Sequence, residues 1–367
     1  MTTTWVRFLL TIAATLTTTV VAAQAGPFAD LAEPAFSSFA SEAAERAAPT
    51  VLVADSDFAP PRLEVGAALL YLQPGSGSLE YGTLVSPLPA PSPHWENQSI
   101  RPEFSPAFNL HVRFLVPETA NDLRASWTHL DSTDRASFAG TPLQFAGPSY
   151  LIGPGATAYN VGSGTVNFRY ESVNLEGGHL WRAGRPFQMR VFGGVQYTSV
   201  DQDLTGWFSD FSGSLTHQNT TQSSFLGAGP RVGVSGQFQR RRLQLLGEMA
   251  AVALVGTQHS RVNFNTTSAM FPGGSPQSFT SPSSTQVVPG LESRLASSYS
   301  LQLGGGVLKL EAGYQAVVYV DAVNSYNFTQ VAVPPVVNNV GVFFATADHL
   351  QNNFTAHGPY MSLSWGF

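Results

Sequence analysis

The sequence predicts an all-β protein, a closed antiparallel transmembrane β-barrel of about ten strands, with counts between about 8 and 12 fitting the same pattern. Three observations support this. Only 11% of the 367 residues are charged while 43% are hydrophobic, whereas soluble domains carry about 25% charge. Apolar and polar residues alternate over about ten runs. Finally, Met361 to Phe367 places only apolar side chains on one strand face, and such a strand is stable in lipid only within a closed sheet.

A signal peptide is predicted at the N-terminus. Arg7 is the only charged residue before Asp30, and the segment from 8 to 21 is uncharged and mostly apolar or Thr. The small residues ending at Ala25 suit a signal peptidase. Cleavage is therefore expected directly after Ala25.

Three segments are predicted along the chain. Residues 1–25 are the signal peptide. Residues 26–60 are rich in Ala, Pro and acidic residues without alternation, which favours a flexible periplasmic segment. Residues 61–367 are predicted to form the barrel.

The alternating runs predict the strands. Their lengths suit tilted membrane strands of about 9–11 residues with short extensions. The predicted strands cover residues 63–72, 104–116, 121–131, 164–175, 185–200, 223–238, 242–256, 286–300, 306–320 and 357–367.

The connections alternate between short and long, as expected for short periplasmic turns and long outer loops. Both chain ends then lie in the periplasm. Segments 78–85 and 336–347 are read as further strands or as hairpin extensions. The short turns are 117–120, 176–184, 239–241 and 301–305, and the long loops are 73–103, 132–163, 201–222, 257–285 and 321–356.

The polar members of the alternating runs are expected to point into the lumen. In the second run, Phe108, Leu110 and Val112 share one face, and Asn109 and His111 share the other. The same parity gives the full set of candidate pore-lining residues: Asn109, His111, Arg113, Arg124, Asn167, Arg169, Glu171, Gln188, Arg190, Arg231, Glu248, Glu292, Arg294, Lys309, Glu311 and Gln315.

The signs of these candidates suggest cross-strand ion pairs, because buried ions persist only when they are paired or hydrated. Seven are permanent cations and four are anions, which predicts a weak anion preference in any pore. An equally weighted interpretation is that the charges plug the lumen. Ten strands leave at most a narrow lumen, since aqueous channels are typical of about 16–18 strands.

Aromatic residues near predicted strand ends are expected at the membrane interface, where rings with a polar edge settle. The Arg240 to Arg242 run lies in a predicted periplasmic turn and suggests solvation or lipid-phosphate contact. These aromatic residues are Tyr71, Trp127, Tyr170, Trp181, Tyr197, Trp207, Tyr299, Tyr319 and Trp365.

No motif predicts catalysis, a cofactor or a metal site. The eight histidines include no close pair at a metal-ligand spacing, and cysteine is absent. The glycines from Gly227 to Gly233 lack the spacing of a phosphate loop. A net charge of −6 argues against a nucleic-acid partner. We therefore expect a protein that is not an enzyme.

Several segments resemble the Legionella-type major outer-membrane protein family, in the order expected for it. Segment 67–81 resembles its first strand, and the Trp127-Thr-His129 hairpin is similar to a characteristic one. Later blocks begin at Phe225 and Val287. The resemblance implies an outer-membrane barrel with a pore-forming role. The chain ending on Trp365 and Phe367 also resembles the membrane-insertion signal of bacterial outer-membrane barrels.

The leading hypothesis is a porin-like barrel for passive diffusion of small solutes or ions in the outer membrane of a Gram-negative-type bacterium. The alternative is a surface structural or adhesion protein anchored by its barrel, and a barrel enzyme ranks third. Expected partners are outer-membrane lipid, small solutes or ions, and the barrel-assembly machinery acting through the C-terminal strand. The sequence leaves open the lumen state, the solute, the oligomeric state and the partners of the loops.

Overall fold

The computed structural model describes residues 62–86, 94–141, 144–148, 159–182, 186–240, 242–268, 271–337 and 340–367. The predicted signal peptide and the predicted segment 26–60 lie outside these residues. Within the described ranges, no helix is long and apolar enough to cross a membrane.

The described chain folds almost entirely into β-strands, because the apolar and polar residues alternate with the period of a pleated strand. Most strands are longer than the alternating runs predicted. They are β1 (Leu63–Ser76), β2 (Glu80–Ser86), β3 (His94–Ser99), β4 (Ser105–Leu115), β5 (Asn121–Ala139), β6 (Phe145–Pro148), β7 (Val161–Arg182), β8 (Phe187–Ser209), β9 (Thr216–Arg240), β10 (Leu243–Ser268), β11 (Phe271–Thr280), β12 (Ser284–Leu303), β13 (Gly306–Val337) and β14 (Val340–Gly366).

Ten of these described strands form a closed antiparallel ring in the order β1-β4-β5-β7-β8-β9-β10-β12-β13-β14, and β14 returns to β1. The backbone amide of Leu63 donates to the carbonyl of Phe367 at 3.1 Å, so the first and last strands complete the ring. The closed sheet leaves no strand edge facing lipid. The predicted antiparallel barrel of about ten strands is confirmed.

The two ends of the barrel differ. At one end, here named the terminal end, lie Leu63, Phe367 and four short connections between paired strands. At the other, here named the hairpin end, β8 and β9 continue pairing up to the turn 210–215, and β13 and β14 stay paired up to Val337 and Val340. Segments 201–222 and 321–356, expected as loops, are therefore mostly extended hairpins. Backbone hydrogen bonds continue beyond the membrane, since pairing satisfies them there as well.

Large apolar side chains cover a belt on the outer face of the ring. On β8 the outward residues from Phe187 to Tyr197 are apolar or Gly, with Val191, Val195 and Tyr197 exposed. The ten residue steps from Phe187 to Tyr197 rise about 25 Å at 3.3 Å per residue and a 40° tilt, which matches the height of about 25 Å typical of the apolar band. The belt therefore has the dimension of a hydrocarbon core.

A small sheet, ordered β3-β2-β6, lies at the hairpin end. Its Tyr81 is buried and packs against Phe138 with ring centroids 5.9 Å apart. A Cβ on Gly164 would lie 2.5 Å from the Tyr81 ring, so β7 needs glycine where β2 packs against its inner face. The small sheet thereby covers part of the hairpin end.

Candidate functional site: the barrel lumen

The half of the lumen next to the terminal end, here named the terminal half or charged half, contains a network of buried ion pairs. Asp122 accepts hydrogen bonds from Nε of Arg113 at 2.7 Å and from Nε of Arg190 at 2.9 Å. Arg190 also donates from Nη1 to Glu176 at 3.0 Å. Both carboxylates and Arg190 are buried. Paired charges of this kind are stable away from water, whereas single ones are not.

The network continues across the lumen between strands that are not neighbours. Arg124 of β5 donates to Glu248 of β10 at 3.1 Å, although three other strands separate them around the ring. Arg231 lies 2.9 Å from Glu292 and 3.8 Å from Glu248. The Arg124–Glu248 contact therefore crosses the lumen, while the Arg231 contacts link the nearby strands β9, β10 and β12.

A second group of charges lies on β12, β13 and β14. Glu311 contacts Arg294 at 2.6 Å and Lys309 at 3.0 Å, and it accepts a hydrogen bond from the Tyr360 hydroxyl at 2.7 Å. The Arg294 guanidinium also stacks 4.3 Å above the Tyr360 ring. Aromatic stacking and ion pairing together hold this arginine against the wall.

Two tyrosines meet across the full width of the lumen. The hydroxyls of Tyr170 on β7 and Tyr319 on β13 are 3.2 Å apart, and these strands are five positions apart in the ring of ten. Gln196 donates to the Tyr319 hydroxyl at 2.6 Å, and Phe354 packs on the Tyr170 ring at 5.4 Å. Diametrically opposite walls are therefore in direct side-chain contact.

Beyond the tyrosines, toward the hairpin end, the lumen is filled by an apolar layer of inward side chains that belong to one buried cluster. Interiors packed in this way exclude water. Members of the cluster with no solvent exposure are Leu130, Val166, Phe168, Phe208, Phe225, Leu254, Val288, Tyr319, Ala322 and Phe354.

Small polar cavities lie in the charged half. One of about 80 Å³ is lined by Arg124, Glu248 and Gln315 among others, and one of about 60 Å³ is lined by Glu64, His111 and Lys309 among others. A single water needs about 10–15 Å³ of such volume. The cavities have polar walls and room for a few waters.

The structure places most predicted lumen candidates on the inner face. Whether they line a pore stays a prediction. The inward candidates are Asn109, His111, Arg113, Arg124, Gln188, Arg190, Arg231, Glu248, Glu292, Arg294, Lys309, Glu311 and Gln315.

The assignment of Asn167, Arg169 and Glu171 to the lumen is wrong. These residues lie on the outer face of β7, and the Arg169 side chain is 62% exposed. The apolar parity misled the prediction because, in this part of β7, the apolar residues Val166 and Phe168 fill the lumen. Polar residues face outward there because the strand has left the hydrocarbon.

In the terminal half of the lumen, the described inner-face charges are balanced. Its cations are Arg113, Arg124, Arg190, Arg231, Arg294 and Lys309, and its anions in the same region are Glu64, Asp122, Glu176, Glu248, Glu292 and Glu311, six against six. The count behind the predicted anion preference omitted Glu64, Asp122 and Glu176, which share the inward parity of their strands. That preference therefore loses its physical basis.

Three aromatic assignments also change. Tyr170 and Tyr319 are buried in the lumen, although membrane-interface positions were expected for them. Trp207 lies on the outer face but beyond the apolar belt. Tyr71, Trp181 and Trp365 are exposed on the outer face near the belt edges, where amphipathic rings settle.

The turn between β8 and β9 is held by Asp210. Its carboxylate accepts hydrogen bonds from the Ser212 hydroxyl, from the Ser214 hydroxyl at 2.9 Å and from the amide of Leu215 at 3.1 Å. The Ser212 hydrogen bond leads in lowering the pKa of Asp210 to about 2. The carboxylate therefore stays charged at neutral pH and keeps its bonds to the turn.

In the part of the chain that the structure describes, no group of three or more His, Asp or Glu side chains is arranged to hold a metal ion. The expected absence of a metal, a cofactor and an enzymatic activity stays a prediction.

A closed ring of ten antiparallel strands with an apolar outer belt and an ion-paired interior defines a transmembrane β-barrel. The model of one family, described as the Legionella pneumophila major outer membrane protein precursor, matches residues 59–367. The chain belongs to this family and is an outer-membrane protein, which confirms the resemblance inferred from the sequence. No curated protein matches the chain.

Three solved structures that are similar to this chain are distant from it in sequence. The Escherichia coli outer membrane protease OmpT is 9% identical with a TM-score of 0.40, covering 86% of this chain and 99% of that chain. The translocator domain of the autotransporter NalP from Neisseria meningitidis is 11% identical with a TM-score of 0.31, covering 85% and 90%. A mutant of the monoaromatic hydrocarbon channel TodX is 10% identical with a TM-score of 0.32, covering 84% and 92%. Likenesses this distant indicate neither activity nor ligand.

Proposed function

We propose that the protein is a closed barrel that anchors and positions a rigid hairpin surface outside the outer membrane. The observation that carries the proposal is the contact of Tyr170 with Tyr319 across the lumen, backed by the apolar layer with unexposed members such as Val166. A lumen spanned by side chains from opposite walls provides support but no path for solute. The paired extensions of β8 with β9 and of β13 with β14 supply the surface that is supported.

The orientation is part of this proposal. Short connections at the terminal end and long hairpins at the other suit a periplasmic terminal end. A membrane-impermeant maleimide applied to intact cells should label Ser212→Cys in the hairpin turn and leave Glu118→Cys in a terminal-end turn unlabelled. The chain contains no cysteine of its own. The reverse labelling pattern would contradict the orientation.

Liposome swelling tests the closed lumen. Proteoliposomes with the refolded protein should swell in arabinose no faster than protein-free liposomes, because Tyr170 and Tyr319 meet across the lumen and buried apolar side chains fill it beyond them. An established porin serves as the positive control. Swelling at a rate that scales with the amount of folded protein would contradict the anchor proposal.

Porin-like passive diffusion of small solutes or ions is the second candidate. The charged terminal half of the lumen favours it, since Glu64, His111 and Lys309 line a polar cavity near that end. Transport would require the apolar layer to move. The balanced inner charges then predict little preference between anions and cations, so swelling without ion selectivity would support this candidate.

The proposal also includes export and membrane assembly. The N-terminal 25 residues act as a signal peptide, and the barrel-assembly machinery engages β14. The outward positions of Trp365 and Phe367, 37% and 60% exposed, support the second, because an assembly partner reaches the outer strand face.

A further inference from the structure

The outer wall of β7 to β10 changes chemistry with height above the apolar belt. Along β8 the outward residues pass from Val195 and Tyr197 to Asp201 and Asp203, and then to Trp207. Trp207 lies ten residues beyond Tyr197, which places it about 25 Å higher at 3.3 Å per residue and a 40° tilt. The wall therefore has an apolar, a charged and an upper level.

The charged level contains side chains of both signs directly above the belt. Asp201 on β8 is paired in register with Arg169 on β7, and Asp203 lies one step higher on the same face. Arg169 is 3.9 Å from Asp131 on β5. Such a mixed level suits a headgroup region in which phosphates and their divalent counter-cations occur together.

The upper level consists of uncharged hydrogen-bonding groups from β7 to β10. Thr205 and Thr220 share a hydrogen bond at 3.2 Å, and Gln218 and Ser163 flank Trp207 in register. Trp207 is 40% exposed. The two outward rows across these strands are Thr165, Thr205, Thr220 and Asn263, and then Ser163, Trp207, Gln218 and Asn265.

We propose that this wall binds an acylated, phosphorylated glycolipid of the outer leaflet, with its sugars on the upper level. The levels follow the order of that molecule, from acyl chains through a phosphate region to saccharide. Hydroxyl and amide groups exchange hydrogen bonds with sugar hydroxyls, and the indole of Trp207 offers a flat face for the apolar side of a sugar ring. Tyr and Trp are enriched at surfaces where one end of the ring is apolar and the other is polar.

The inference rests on the proposed orientation, because only an outward hairpin end reaches the outer leaflet. Continuity with the lipid-facing belt favours a membrane glycolipid over a soluble partner. A failed glycolipid proposal can be told apart from a wrong orientation. The binding assay uses detergent-solubilised barrels, whereas the maleimide assay uses intact cells.

The test measures the affinity of the refolded full chain for lipopolysaccharide that carries core sugars. Trp207→Ala is expected to weaken binding about five- to tenfold, as truncation of a central aromatic contact does. Trp95→Ala is the matched control, because Trp95 is 66% exposed on the small sheet, and it should bind like the unaltered protein. Heat-modifiable gel mobility confirms that both variants are folded.

Two ligand comparisons complete the test. Lipid A without core sugars and phosphatidylglycerol should both bind at least about fivefold more weakly than the sugar-bearing lipid. The inference is overturned if lipid A binds as tightly as the complete glycolipid, or if Trp207→Ala and Trp95→Ala have the same affinity.

Discussion

Replacing Arg190 with methionine is expected to lower the free energy of unfolding by about 3–5 kcal/mol. The guanidinium donates to Asp122 at 2.9 Å and to Glu176 at 3.0 Å, and all three residues are buried. Methionine preserves most of the side-chain length but removes the positive charge that pairs with Asp122 and Glu176. The loss is large because an unpaired charge in the lumen is poorly hydrated.

The matched control is Arg169→Met on β7. Arg169 is 62% exposed at its side chain and lies 3.9 Å from Asp131, so its removal should cost about 0–1 kcal/mol, as for surface ion pairs. Urea unfolding of both variants, refolded in the same detergent, gives the comparison. Equal losses for the two variants would show that the lumen network does not stabilise the barrel as described.

The strands and the closure of the ring were predictable from the sequence. Alternation of apolar and polar residues follows from burial of opposite strand faces in lipid and lumen. Met361, Leu363 and Trp365 confirm this, because their side chains are exposed on the outer face of β14. The ends of the strands were not predictable. The β8–β9 hairpin continues to pair where its outward residues, such as Thr205 and Gln218, are polar.

The chemistry of the lumen was only partly predictable. In the terminal half, inner residues are charged and outer ones apolar, so parity identified Arg190 and Glu248 correctly as inward. In the half next to the hairpin end the inner residues are apolar and the outer ones polar, because Phe168 fills the lumen while Arg169 faces water. In a strand that passes from lipid into water, the apolar face is therefore the outer face within the membrane and the inner face beyond it. The contact of Tyr170 with a partner five strands away depends on the curvature of the ring, which no local pattern records.

Exclusion of water from the apolar layer predicts a second large effect, on cysteine reactivity. Val166→Cys places a thiol of similar size where Val166 has 0% exposure. Ser126→Cys places one beside the larger cavity in the charged half. Thiols react as thiolates, which require water, so the two positions should differ in labelling rate by about a hundredfold or more. Because the natural chain contains no cysteine, each variant reports one position.

The most direct test of the closed lumen is therefore the labelling rate of Val166→Cys by a small, cationic methanethiosulfonate, measured beside Ser126→Cys and the exposed turn variant Ser212→Cys. A closed barrel predicts rapid labelling at Ser212, slower labelling at Ser126 and almost none at Val166 until the protein is unfolded. Labelling of folded Val166→Cys at a rate similar to Ser126→Cys would show that water passes the apolar layer, and it would contradict the closed barrel.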